Sequence, residues 1–139
     1  MSAFNIQWTA TRQDLLKNEK YAQFYALVKN GKLIYIGLAF RKNLSQAIPA
    51  CILQNNLDPA NLKVYLGRVK EYAVKALNAQ QLQAMHDLLV FARKPVLNMT
   101  GRFDYQSHGD LRVNNSGCEL LPLRLREENK NVFVSAQSC

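Results

Sequence analysis

Tyr25 and Tyr35 stand ten residues apart and are the first residues whose placement could do chemistry. Tyr25 lies in Phe24-Tyr-Ala-Leu-Val28, Tyr35 in Leu33-Ile-Tyr-Ile36-Gly37, and Lys29-Asn-Gly-Lys32 separates them. Two β-prone runs around Asn-Gly predict a hairpin. Its register decides whether the two phenols meet. A two-residue turn at Asn30-Gly31 pairs Lys29 with Lys32 and Tyr25 with Ile36, which puts the tyrosines on opposite faces. A three-residue loop with Gly31 left-handed sets Tyr25 directly across from Tyr35, with Leu27 and Leu33 on the same face. Two phenols brought together there are either a site or a cross-strand aromatic pair.

Charge is the second chemical feature. The 139 residues carry 18 Lys+Arg against 10 Asp+Glu, a net charge of +8. Between Lys29 and Arg102 there are eleven basic residues and three acidic ones (Asp58, Glu71, Asp87), while the flanks cancel. A localised basic excess favours a polyanion, because each Lys or Arg at a phosphate releases condensed counterions. The candidate phosphate contacts are Lys29, Lys32, Arg41, Lys42, Arg68, Lys70, Arg93, Lys94 and Arg102. No base-reading helix is evident, so binding to nucleic acid, DNA in the first instance, should be sequence-tolerant and salt-dependent.

The elements that must position these residues read as one α+β domain over residues 1–139. A helix is expected over 11–22, with Thr11 as its cap. Leu44, Ala47, Ile48, Cys51 and Ile52 recur at helical spacing within 43–56, where Pro49 should kink or restart the helix. No charge falls between Lys42 and Asp58, so this helix should be largely covered, either within the chain or by a homodimer or other protein partner through 43–57. Residues 62–69 alternate as a strand. Asn78, with Gln81 completing a capping box, starts a helix running to about Ala92. Its stripe is Leu82, Met85, Leu89 and Ala92; His86 lies on the stripe's edge and Asp87 is turned away. Strands at 110–113 and 131–134 follow around a Gly117 turn. The expected architecture is a small central antiparallel sheet of about three strands flanked by helices, with its core at 24–99 and a short C-terminal β extension over 100–139.

Other classes are excluded. A hydrophobic content of 48% with 20% charged residues suits a globular domain. No apolar run approaches the roughly 20 residues of a membrane span. Residues 1–8 lack the basic start and apolar core of an export signal, and Cys51, Cys118 and Cys139 read as reduced thiols, so a cytoplasmic location is expected. There is no Walker loop, dinucleotide-binding glycine pattern or zinc-ligand spacing.

Tyr25 followed by Tyr35-Ile-Gly37, then Val64-Tyr-Leu-Gly-Arg-Val69, then His86 through Pro95 to Asn98, resembles the GIY-YIG endonuclease family in order and spacing. The resemblance spans about residues 24–99. It implies phosphodiester cleavage with one divalent metal, Mg or Mn, in which Tyr25, Tyr35 and Asn98 match the family's site positions. The family's arginine falls at Ser45, with Arg41 and Lys42 as possible substitutes, and its metal-binding glutamate falls at His86. Imidazole is a poor Mg²⁺ ligand. The resemblance therefore implies a degenerate domain that binds nucleic acid with cleavage lost or impaired. The alternatives are a protein-interaction or inhibitory module on the same scaffold, or an active metal-dependent endonuclease with substituted residues.

Overall fold

In a computed structural model the described residues are 2–12, 22–39, 43–70, 77–98 and 105–135. They form seven strands, β1 (Ser2–Thr11), β2 (Phe24–Lys29), β3 (Lys32–Leu38), β4 (Leu62–Val69), β5 (Leu111–Ser116), β6 (Arg124–Glu128) and β7 (Asn131–Val134). Two α-helices join them among the described residues, α1 (Leu44–Gln54) and α2 (Ala79–Arg93). All seven strands belong to one mixed sheet in the order β3-β2-β4-β1-β5-β6-β7, curled into a half-barrel.

This corrects the expectation of a three-stranded antiparallel sheet flanked by helices. β3-β2-β4 exist, but β4 has a second edge, and β1 pairs along it antiparallel from Ile6↔Val69 to Thr11↔Val64. β5 then adds parallel to β1, Phe4 opposite Val113, and β6 and β7 follow as antiparallel neighbours. The segment after α2 is thus sheet, not an appendage. Leu111, Val113, Cys118, Leu121 and Leu125 sit in the same core cluster as Phe4, Ile6 and Trp8. The expected N-terminal helix is corrected at its start, because Thr11 ends β1; residues 13–21 lie outside the described residues.

β1 alternates strictly. Phe4, Ile6 and Trp8 are buried, whereas Ala3, Asn5, Gln7 and Thr9 are exposed, so one sheet face faces a core and the other faces water. α2 packs on the Phe4/Ile6/Trp8 face, burying Leu82, Met85, Leu88 and Leu89. Its capping box is formed: Asn78 Oδ1 accepts from Gln81 N, and Gln81 Oε1 accepts from Asn78 N. α1 covers the opposite face, where Leu44, Ile48, Cys51 and Ile52 meet Tyr25, Leu27, Val64 and Leu66. Pro49 lies inside α1, which is one continuous helix across it. On α1's side of the sheet, the outward residues of β5, β6 and β7 stay exposed or half-buried.

Candidate functional site

Asn30 and Gly31 both have positive φ, 52° and 75°, a tight two-residue turn that a glycine and an asparagine accept readily. Lys29 accordingly pairs with Lys32. The register then shifts: Val28 faces Leu33 while Leu27 faces Tyr35, leaving Ile34 as a bulge residue. The bulge moves Tyr35 onto the face of Tyr25, so neither simple register holds. Tyr25 stands opposite Gly37, and Tyr25 and Tyr35 meet diagonally, ring centroids 5.8 Å apart. A Cβ at residue 37 would fall 2.1 Å from Tyr25 Cζ, so the glycine is what lets the ring lie across β3.

The two phenols meet the Cys51 thiol of α1. Burial pushes the Tyr25 phenol far above its ordinary range, and the neighbouring Tyr35 and Cys51 add to the shift. Burial likewise raises Tyr35 and Cys51, the latter partly offset by hydrogen bonding from Tyr25 and Asn55. At neutral pH all three are therefore uncharged: no phenolate, no thiolate. Tyr25 is only 5% exposed. Ser45, where the sequence resemblance expects an arginine, is occupied in the first turn of α1, its Oγ donating to Oδ1 of the Asn43 cap at 2.6 Å. Arg41, Lys42 and Arg102 lie outside the described residues.

Asn98 is brought to β3 but works on its backbone. Its Oδ1 accepts from Ile36 N at 2.9 Å and its Nδ2 donates to Ile36 O at 2.8 Å, as a neighbouring strand would. Leu97 N donates to Ile34 O beside it, so residues 97–98 close the outer edge of β3. His86 serves the same carbonyl, Nε2 lying 2.9 Å from Ile36 O. A carbonyl only accepts, so Nε2 carries the proton. Nδ1 is buried without a hydrogen-bond partner, 3.7 Å from Asp87 Oδ1. Among the described residues no group of three or more His, Cys, Asp or Glu is placed to hold a metal ion.

The basic residues divide. Lys29 and Lys32 pair across the turn, and Lys63 lies opposite Val28, so three lysines gather at the hairpin end of the sheet. Arg68 and Lys70 are at the other end of β4. Lys94 is the left-handed cap of α2; its Nζ donates to Phe91 O at 2.7 Å and lies 4.0 Å from that ring's centroid. Arg93 is half-buried, and burial lowers its guanidinium. Among the described residues the central charges do not make one patch. α1 turns one side to the core, while its outer side is uncharged and exposed, with Leu53 78% accessible.

Two further groups have no signature in the sequence. Asp87 Oδ2 lies 2.7 Å from His108 Nε2, and Asp87 Oδ1 accepts from Gln83 Nε2 at 2.8 Å. Burial raises the Asp87 carboxyl, but the neighbouring His86 imidazole and the hydrogen bonds with Gln83 and His108 outweigh it and hold it below its usual value. Glu127, fully buried on β6, accepts from Tyr105 Oη, Ser107 Oγ and His108 N. Burial, then Glu127, pushes the Tyr105 phenol up. Together these clamp the 105–110 segment between α2 and β6. The second group is an arginine row on the uncovered face of β5 and β6, Arg112 opposite Arg126, with Arg124 opposite Asn114. Its members are separated by alternation and by a turn, which hides them from any local motif.

Among the described residues no helix is long and apolar enough to cross a membrane. No protein-family model, characterised protein or solved structure matches the chain, so its sites stand on their own geometry.

Proposed function

We propose that the protein is a nucleic-acid-binding domain, related through its tyrosine hairpin to the GIY-YIG nucleases but without their phosphodiester cleavage. The observation that carries this is uncompensated positive charge. Among the described residues Lys29, Lys32 and Lys70 make no ion pair with a carboxylate, on a chain of net charge +8. The loss of cleavage is supported by the tyrosine face: two neutral phenols, one buried and one half-buried, a Ser45 bonded to the Asn43 cap of α1, and a His86 whose protonated nitrogen is committed to a backbone carbonyl.

Fluorescence anisotropy with labelled oligonucleotides tests the binding. Affinity should fall steeply with salt, with a log–log slope of about −0.9 per phosphate contact on duplex and about −0.7 on a single strand. An affinity that is flat in salt refutes it. Nicking of supercoiled plasmid in Mg²⁺ or Mn²⁺ by the wild type, and not by Tyr35→Phe, would restore the endonuclease reading and overturn the loss of cleavage.

A second reading rests on Leu53 and the uncharged outer side of α1, which suit a second copy or a protein partner. Sedimentation that stays monomeric across concentration would remove self-association.

A further inference from the structure

The face of β5, β6 and β7 that neither α1 nor α2 covers carries side chains that a merely solvated face does not need. Arg112 on β5 is the direct register partner of Arg126 on β6, and Arg126 is that of Phe133 on β7. The next row holds Asn114 opposite Arg124, whose N–H donates to Ser135 Oγ. Like charges directly opposite on adjacent strands destabilise a sheet, so the Arg112/Arg126 pair is a cost that folding alone does not explain. The Arg126 guanidinium lies 4.6 Å from the Phe133 ring centroid, and its buried Nε has no hydrogen-bond acceptor. Glu128 lies beside the row, its Oε2 3.8 Å from that Nε. Phe133 is 45% exposed, and the face opens into a recess of about 650 Å³ lined by Arg112, Asn114, Arg124, Arg126, Phe133 and Ser135.

We propose that this face binds single-stranded nucleic acid, with a base stacked on Phe133 and Arg112, Arg124 and Arg126 holding the neighbouring phosphates. Three guanidiniums supply the anion contacts, and an exposed aromatic supplies the π-face that a splayed base uses and a duplex backbone does not. Adjacent strands stand roughly 4.8 Å apart, so the arginines form a short track along which a backbone can run. The site rests on the nucleic-acid reading above but moves it, from the basic residues of 29–102 to the last third of the chain.

Anisotropy with roughly ten-nucleotide oligoribo- and oligodeoxyribonucleotides, single-stranded and duplex, tests it, using Phe133→Leu, Phe133→Tyr and the double variant Arg112→Gln/Arg124→Gln. Phe133→Leu should weaken single-strand binding roughly 5- to 150-fold and leave duplex binding unchanged, and Phe133→Tyr should retain affinity. The arginine variant should lose about 0.7 of salt slope per contact removed. The fluorescence of the single Trp8, 2% exposed, confirms that each variant is folded. If the wild type binds and Phe133→Leu binds equally well, the face is overturned while the nucleic-acid reading stands. If no oligonucleotide binds, both fall. Binding that polyglutamate displaces as readily as oligonucleotide, with no dependence on Phe133, would assign the face to acidic peptides and overturn the proposal.

Discussion

Replacing Asn98 by alanine separates a strand-edge role from a catalytic one. The side chain makes two hydrogen bonds, 2.9 Å from Ile36 N and 2.8 Å to Ile36 O, and is 5% exposed. Two such bonds are worth about 1–3 kcal/mol net, and the Ile36 N–H left buried without an acceptor adds about 1–3 kcal/mol. The carbonyl is not orphaned, because His86 Nε2 still reaches it, which trims the loss. A destabilisation of about 2–4 kcal/mol follows, or a fall in Tm of roughly 8–15 °C for a chain of this size. Urea unfolding followed by Trp8 fluorescence measures it. His86→Ala alone should cost only about 0.5–1.5 kcal/mol, since Asn98 Nδ2 keeps the carbonyl. The double variant strands that carbonyl, so the pair should be non-additive by 0.5 kcal/mol or more. An Asn98→Ala protein that unfolds at the wild-type midpoint, or whose nucleic-acid affinity is lost while its stability is intact, would refute the edge role and return Asn98 to a site.

Two other perturbations probe the tyrosine face. Gly37→Ala drives a Cβ into the Tyr25 ring and should destabilise by about 1–3 kcal/mol, reduced when Tyr25→Leu is introduced with it; equal losses in both backgrounds would mean the ring is not what Gly37 accommodates. Tyr25→Phe should cost about 0.5–1.5 kcal/mol at pH 7 without altering oligonucleotide affinity. The folded state holds the Tyr25 proton more tightly than the unfolded chain, whose phenol titrates near ~10. The associated stability is present below that pH and lost as pH rises above it, so Tyr25→Phe should flatten the alkaline limb of a stability–pH curve. An unchanged limb would count against a buried phenol.

The local elements were legible where they carried their own punctuation. Asn30-Gly31, the Asn78/Gln81 capping box and the Leu62–Val69 alternation each appear where the residues place them. β1 was equally readable from Phe4, Ile6 and Trp8, yet Thr11 mimics a helix cap at the point where the strand ends. β6 was hidden because Arg124-Leu-Arg-Glu-Glu128 buries a glutamate and holds only one apolar residue, and because the β6–β7 turn sets Asn129 and Lys130 at positive φ without a glycine. The bulge at Ile34 left no trace either, although it decides which face Tyr35 takes. The site was half legible: Tyr25, Tyr35, Asn98 and His86 do gather around β3, but the tyrosines meet each other and the Cys51 thiol, while Asn98 and His86 bond the Ile36 backbone. The arginine row depends on the pairing register of β5 with β6 across the 117–123 connection, which local spacing does not encode.

The position of β1 has a consequence for how the molecule is made. Its central strand pairs in parallel with β5, and Asn5 and Asn114, whose side chains are bonded, are 109 residues apart. Such closures are entropically expensive before they are rewarded, so folding should be slow and its contacts late. During synthesis β2, β3 and β4 emerge well before β5 covers the other edge of β1. Until then that edge is an open template beside Phe4, Ile6 and Trp8, the state in which this chain is most exposed to pairing with another copy.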